Sequence, residues 1–396
     1  MTETRTSATF PPPVPEARRW LEGVTFSDER PLINVSQAAP VDPPHPDLRA
    51  AIAEAAVNND AAHLYGPVLG LPELRHEIAT QWSAAYNGDI VRGQVAITSG
   101  CNQAFSATIA CLCGEDDEVI LPTPWYFNHK MWLDMAGVRA VALPTGDDLL
   151  PDPEVARAFI TARTRAIALV TPNNPGGVEY SDDLVRAFYD LAREHGLALI
   201  VDETYRDFDS RSGAPHDLFT LPAWDQTLIQ LYSFSKAYRL TGHRVGAMIA
   251  APSRLAEAEK FLDTVAICPN QLGQIAALWG MQNLAQWLTE QRAEILDHSQ
   301  SIRDYFPLIE TQGWRLLGCG AYFAYMAHPF DESSEDLAKR MVREIAVLAL
   351  PGTMFVPDDD PSGRASLRIA FANIDRAQIK TLFERLATLA PAPATH

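Results

Sequence analysis

Lys236 sits in Ser233-Phe-Ser-Lys-Ala-Tyr-Arg-Leu-Thr-Gly-His-Arg-Val-Gly246. An apolar run, Leu228-Ile-Gln-Leu231, leads into it and reads as a buried strand. A lysine among small polar residues at the end of a buried strand is placed to lose its proton and attack a carbonyl as a free amine. Arg244 follows eight residues later (244 − 236), with Ser233 and Ser235 close by. Two hydroxyls and an arginine among glycines suit a dianionic phosphate. Taken alone, such a stretch is more often a surface turn with an exposed lysine. An imine-forming amine beside a phosphate cradle suggests pyridoxal 5′-phosphate, and the rest of the chain decides between the two.

Ligands of parallel α/β sheets bind at the carboxyl ends of the strands, so the residues after each strand carry the next test. After Ala96–Thr98, Gly100-Cys101-Asn102 opens a helix whose free N–H groups and positive dipole end suit a phosphate. After Ile120-Leu121 come Trp125, Tyr126, Phe127 and His129. An aromatic there stacks on a planar ring or simply fills core. Thr171-Pro-Asn-Asn-Pro-Gly-Gly177 carries more Asn, Pro and Gly than a connector needs, and its asparagines can donate to a ring oxygen. Asp202 ends the run Leu199-Ile-Val201. A carboxylate at the end of a buried strand needs a partner, and a protonated pyridine nitrogen is one. Arg368, within Ala365-Ser-Leu-Arg-Ile-Ala-Phe371, suits a bidentate grip on a carboxylate or a structural ion pair.

The elements that must position these groups alternate. Strands are expected at Val95–Gly100, Glu118–Leu121, Val138–Leu143, Ala166–Val170, Ala198–Val201, Leu228–Leu231 and Val245–Ala250. Helices are expected from Asp47 to Val57, Pro72 to Ala85, Asn102 to Cys113, and Ser181 to His195 with Gly196 as its stop. Residues 1–20 read as an extended arm, Leu32–Ser36 as a short strand and Val41–Pro46 as a rigid connector. Beyond Pro269, Gln271 to Tyr305 is helix-compatible with weak points at Gly273 and Gly280. Strand Tyr322–Met326, helix Ser334–Ile345, strand Gly363–Phe371 and helix Arg376–Leu389 follow, then a Pro/Ala tail from Pro391 expected to be disordered. The fold class is α/β. A large domain (47–285) holds a mostly parallel seven-stranded sheet covered by helices. A smaller α+β domain joins the N-terminal segment (1–46) to the C-terminal part (286–396).

Composition narrows the partners. A net charge of −18 over 396 residues disfavours nucleic acid and anionic membranes. Hydrophobic content of 47% supports a substantial core, and no apolar run is long enough to span a bilayer. Residues 1–20 lack the apolar core of a secretory signal. Cys101, Cys111, Cys113, Cys268 and Cys319 are odd in number and follow no disulfide or zinc spacing, so they read as reduced cysteines of a cytoplasmic protein with no metal site.

The loop TPNNPGG, with VDETY, SFSKAYRLTGHRVG, VLALPGTMF and LRIAFAN in that order, resembles the fold type I pyridoxal phosphate enzymes, specifically the class I/II aminotransferase superfamily, over about residues 30–390. The resemblance implies Lys236 as the Schiff-base lysine and proton shuttle, and Asp202 as the pyridinium partner with His129 behind it. It implies Asn174 and Tyr205 on the phenolic oxygen and Tyr126 stacked on the ring. Gly100, Cys101, Asn102, Ser233, Ser235 and Arg244 become the phosphate cradle. Tyr65 would cross from a neighbouring subunit, making a homodimer with shared sites. Arg368 would clamp the substrate carboxylate, with Ala38 and Asn174 beside it. The implied reaction is amino transfer between an L-amino acid and a 2-oxo acid by a ping-pong Schiff-base route. The alternative is a lyase, a β- or γ-replacement, a cyclising or an oxidising enzyme on the same scaffold. A regulatory effector module fits less well, because residues 1–46 are too short and Pro-rich for a winged helix and the chain keeps both Lys236 and Asp202. The sequence departs from the family pattern at Ala38-Ala39-Pro40 (usually Gly-x-Pro), at Gly176 (usually Thr), at His243 (commonly Trp) and at Arg239, which adds a cation near the lysine.

Overall fold

The computed structural model describes residues 4–391. Seven strands form the large sheet in the order Val95–Thr98, Gly246–Ile249, Leu228–Ser233, Ala198–Asp202, Thr164–Val170, Glu118–Thr123 and Arg139–Pro144. Gly246–Ile249 runs antiparallel to both neighbours, and the four remaining pairings are parallel. Alternate residues of a strand face opposite sides, so a strand covered on both must be apolar throughout. Ala198–Asp202 shows this: Leu199 and Val201 pack with Leu74, Trp82 and Phe188, while Ala198 and Ile200 pack with Phe105 and Leu255.

A second sheet of four antiparallel strands runs Leu350–Pro351, Ser366–Ala370, Phe323–Ala327, Arg315–Gly320. Helices Ala285–Tyr305, Ser334–Ile345 and Arg376–Leu386 supply Ile295, Ile302, Leu337, Met341, Ile379 and Leu382 to its core. Ile33–Asn34 pairs in parallel with Val347–Leu348, stitching the N-terminal segment to the C-terminal part.

Three expectations change. Residues 1–20 are not simply extended: Pro13–Arg19 is a helix that buries Pro13 and Ala17. A proline in its first turn, Glu16 early and Arg18 and Arg19 late all favour it. The run from Gln271 to Tyr305 is two helices that meet at Leu284, whose buried side chain joins the large-sheet core. Gly273 and Gly280 lie inside the first helix, where added Cβ atoms would meet His243 O at 2.7 Å and the Tyr238 ring at 2.8 Å. Strand Arg315–Gly320 and helices Phe127–Ala136 and Pro252–Ala266 appear where none was expected. The disorder expected of the Pro/Ala tail concerns 392–396, which lie outside the described residues.

The loop that follows strand Thr164–Val170 meets strand Arg315–Gly320 and Phe323 backbone to backbone. A Cβ on Gly177, whose φ is +71°, would lie 2.3 Å from Phe323 O and 2.8 Å from Gly320 N. A Cβ on Gly318 would lie 2.2 Å from Gly176 O, and one on Gly320 2.4 Å from Gly177 O. Gly177→Ala is therefore expected to lower unfolding free energy by about 2–4 kcal/mol, combining left-handed strain with a steric clash. A urea midpoint unchanged from the parent protein would refute the contact.

Candidate active site

The carboxyl ends of Thr164–Val170, Ala198–Asp202 and Leu228–Ser233 open onto a cavity of about 240 Å³. Cys101, Asn102, Tyr126, Asn174, Asp202, Tyr205, Ser233, Ser235, Lys236 and Arg244 all line it. Ala39 also lines it, as do Gln37, Thr204 and Thr241, to which the sequence assigns no role. A roomier cleft of about 650 Å³ lies beside Arg206–Pro215, but there Arg206 pairs with Asp207 and Arg211 with Asp209 and Asp182.

Asp202 is buried at its strand end. Its Oδ1 accepts from the Thr204 N–H at 3.0 Å and the Thr204 hydroxyl at 2.7 Å, and its Oδ2 is 3.2 Å from His129 Nε2. Burial pushes the carboxyl's proton affinity up, but His129 and Thr204 outweigh it, so Asp202 stays below the ordinary carboxylate range. Helix Phe127–Ala136 carries His129, whose ring stacks on Phe105 at 3.8 Å between centroids and meets Tyr126 edge-on at 5.0 Å. Phe105 left no signal in the sequence beyond its apolar character.

Lys236 lies in a one-turn helix, Phe234–Ala237, whose N-cap Ser233 accepts from the Ser235 N–H at 3.2 Å. Burial, then Arg368 and Arg244, lower the Lys236 amine to about 8. Its Nζ donates to the Ala38 carbonyl and stands 5.7 Å from the Tyr205 ring centre. Burial pushes the Tyr205 hydroxyl and the Cys101 thiol well above their ordinary values, so both are neutral.

Arg244, at φ +54°, donates to Ser235 Oγ at 3.3 Å and lays its guanidinium against Gly100. A Cβ on Gly100 would sit 2.3 Å from Arg244 Nη2. Gly100 caps helix Cys101–Leu112, whose first N–H groups have no intrahelical acceptor. Hydroxyls, arginine and helix N-terminus thus share one end of the cavity.

Arg368 is buried within Ser366–Ala370, its guanidinium about 5 Å from the rings of Phe323 and Phe355. Nη1 donates to Asn174 Oδ1 at 3.0 Å and Nη2 to the Ser36 carbonyl, while buried Nε has no partner. Burial lowers the guanidinium to about 10. Tyr65 is the one predicted residue that the single chain leaves apart: its side chain is 81% exposed and does not line the cavity.

Family comparison agrees with this geometry. The profile described as "Aminotransferase class I and II" matches residues 30–386. The chain belongs to that family. An aromatic aminotransferase of Arabidopsis thaliana is 27% identical over 331 residues, covering 81% of this chain and 80% of that protein. A probable aspartate aminotransferase of Methanocaldococcus jannaschii is 25% identical over 387 residues, covering 93% and 97%. The aspartate aminotransferase fold of Thermus thermophilus superposes with a TM-score of 0.86 at 22% identity, covering 98% of this chain and 99% of that one. Members of the family work with pyridoxal 5′-phosphate. The residues here fit that group: a buried carboxylate for its ring nitrogen, an amine of lowered basicity for its aldehyde, and a cradle at Gly100 that a Cβ would fill.

The Lys236 environment predicts a pH profile. Burial and two guanidinium groups disfavour the charged amine, so the neutral nucleophile emerges as pH rises through about 8 rather than 10.5. The rate of Lys236 modification by an aldehyde in the apoprotein should follow that midpoint, and Arg368→Leu should move it upward. A midpoint at the ordinary lysine value would refute the environment described.

Proposed function

We propose that this aminotransferase exchanges the amino group of an L-amino acid with a 2-oxo acid, using Lys236 as nucleophile and proton carrier. Lys236 and Asp202 line one cavity, and Arg368 stands behind its wall on Asn174, which supports this reading. When bound, the cofactor supplies an electron sink that stabilises negative charge at the substrate α-carbon. Asp202, kept ionised by Thr204 and His129, would hold a proton on the ring nitrogen. Tyr205 and Asn174 would serve the phenolic oxygen and Tyr126 the ring. Ser233, Ser235, Arg244 and the first amides of helix Cys101–Leu112 would hold the phosphate.

Arg368 binds the substrate α-carboxylate through Nε and Nη2, Asn174 fixing its other amino group. Ala38 lies beside that carboxylate. Lys236, half neutral near pH 8 and increasingly so above it, would take the proton from the substrate α-carbon. Burial around the cavity would keep water from that carbon.

The active unit we infer is a homodimer. Leu64 and Tyr65 are 66% and 81% exposed, Val265 and Ile267 are also exposed, and the Gly66 N–H donates to Cys268 Sγ at 3.4 Å. These residues form an apolar patch that a second copy would cover, sending Tyr65 to its phosphate site. The division at 46/47 and 285/286 belongs to the proposal, supported by the bend at Leu284. So does a cytoplasmic location, supported by five free cysteines. No helix of the described residues is long and apolar enough to cross a membrane.

A panel of L-amino acids, given singly to the holoenzyme without an acceptor, tests the reaction. One equivalent of 2-oxo acid per subunit and no ammonia is expected. Catalytic ammonia or side-chain release would overturn transamination. Borohydride should fix the cofactor's mass on the Lys236 peptide of the parent and on no peptide of Lys236→Ala. Arg368→Lys should raise KM for the amino acid about 10²-fold with a smaller change in kcat, because an ammonium cannot make the bidentate contact.

A further inference from the structure

Arg239 lies three residues past the reactive lysine, does not line the cofactor cavity, and has no part in the chemistry above. Its backbone is left-handed, at φ +56°, and its side chain is only 16% exposed. Nη1 stands 3.2 Å from Asp42 on the N-terminal connector. Nη2 donates to Gln291 Oε1 and lies 3.9 Å from Glu294, both on helix Ala285–Tyr305. The guanidinium also lies 5.5 Å from the Trp287 ring, and Trp287 meets His45 of the connector edge-on.

The segment that ends at Asp42 is held in an unusual way. Three successive backbone carbonyls, of Ser36, Gln37 and Ala38, accept from Arg368, Asn373 and Lys236 respectively. The Ala39 N–H donates to Asn373 Oδ1 at 3.2 Å. Beyond Ala39 the support stops. Pro40, Val41 and Asp42 roof a cavity of about 260 Å³, with Tyr322 and His298 among its other walls, and Val41 is exposed. With a void beneath, the Asp42–Arg239 pair is the polar tie at that end of the segment, the Asp42 side chain itself being 65% exposed.

We propose that Arg239 is a positioning residue: through Asp42 it holds segment 36–42 down, so that the Ser36 and Ala38 carbonyls stand on Arg368 and Lys236 until cofactor and substrate take those donors. The proposal rests on the roles given above to Lys236 and Arg368. A carbonyl on each cation substitutes for the oxygens that an incoming ligand brings, and release of the segment uncovers both together.

The test uses the full-length apoprotein with four variants: Arg239→Ala, Arg239→Lys, Asp42→Asn and the Arg239→Ala/Asp42→Asn double. Hydrogen–deuterium exchange over 35–45 and the rate of borohydride-trappable pyridoxal 5′-phosphate capture at Lys236 are the two readouts. Arg239→Ala and Asp42→Asn should each speed both by about two- to fivefold, the range of a partly exposed ion pair. The double variant should go no further than either single, and Arg239→Lys should recover part of the restraint. Parent-like exchange in Asp42→Asn, or effects that add in the double, would overturn the proposal and leave Arg239 as a packing partner of Gln291 and Trp287. Failure of trapping in the parent would instead refute the role of Lys236, while the exchange result would still decide the anchor.

Discussion

A carboxylate in the protein interior sets the terms for the rest of this structure. Asp202 ends the central strand and is almost fully buried there. It stays ionised because a threonine two residues on gives it two hydrogen bonds and His129 stands at ion-pair distance. His129 stays there because Phe105 lies flat against it. Phe105 is in register because its helix starts at Gly100, and Gly100 can start it there because a glycine leaves room for Arg244. One buried charge thus ties the strand end to two helices and to the cradle at the far side of the cavity.

The opposite wall has the reverse problem. Lys236 and Arg368 are two cations without a carboxylate side chain between them, and burial, more than anything else, makes each less basic than usual. Backbone carbonyls of the N-terminal segment satisfy them. A carbonyl dipole is a weaker partner than an anion, so an arriving carboxylate displaces it favourably. The molecule as a whole is acidic at −18, so this cationic wall acts within a Debye length of about 8 Å and not as a long-range lure.

Much of the large sheet was readable, because strands covered on both faces must be apolar throughout. All seven strands expected between Val95 and Ala250 are present to within one or two residues at most of their ends. The cavity residues were readable because a lysine, an aspartate and an arginine at strand ends are chemically conspicuous. What escaped notice depends on contacts distant in sequence. Arg315–Gly320 holds two glycines, poor strand formers, and is a strand where the 171–177 loop packs on its bare backbone. Thr204 reads as an ordinary residue until its hydroxyl is seen on Asp202, and the role of Ser36 and Ala38 is written only in carbonyls that every residue has. Tyr65 is conspicuous in the sequence only through the family pattern, and on its own chain it lies exposed and away from the cavity.

The glycine contact between the 171–177 loop and strand Arg315–Gly320 limits which parts of the chain can be exchanged independently. Asn174 lies two and three residues before the two glycines that rest on strand Arg315–Gly320. A C-terminal half taken from a relative with side chains at positions 318 and 320 would push that loop off its seat and Asn174 away from Arg368. Residues 171–178 and 315–320, though more than a hundred positions apart, therefore form a single unit of inheritance. A productive chimera must carry both stretches from the same parent.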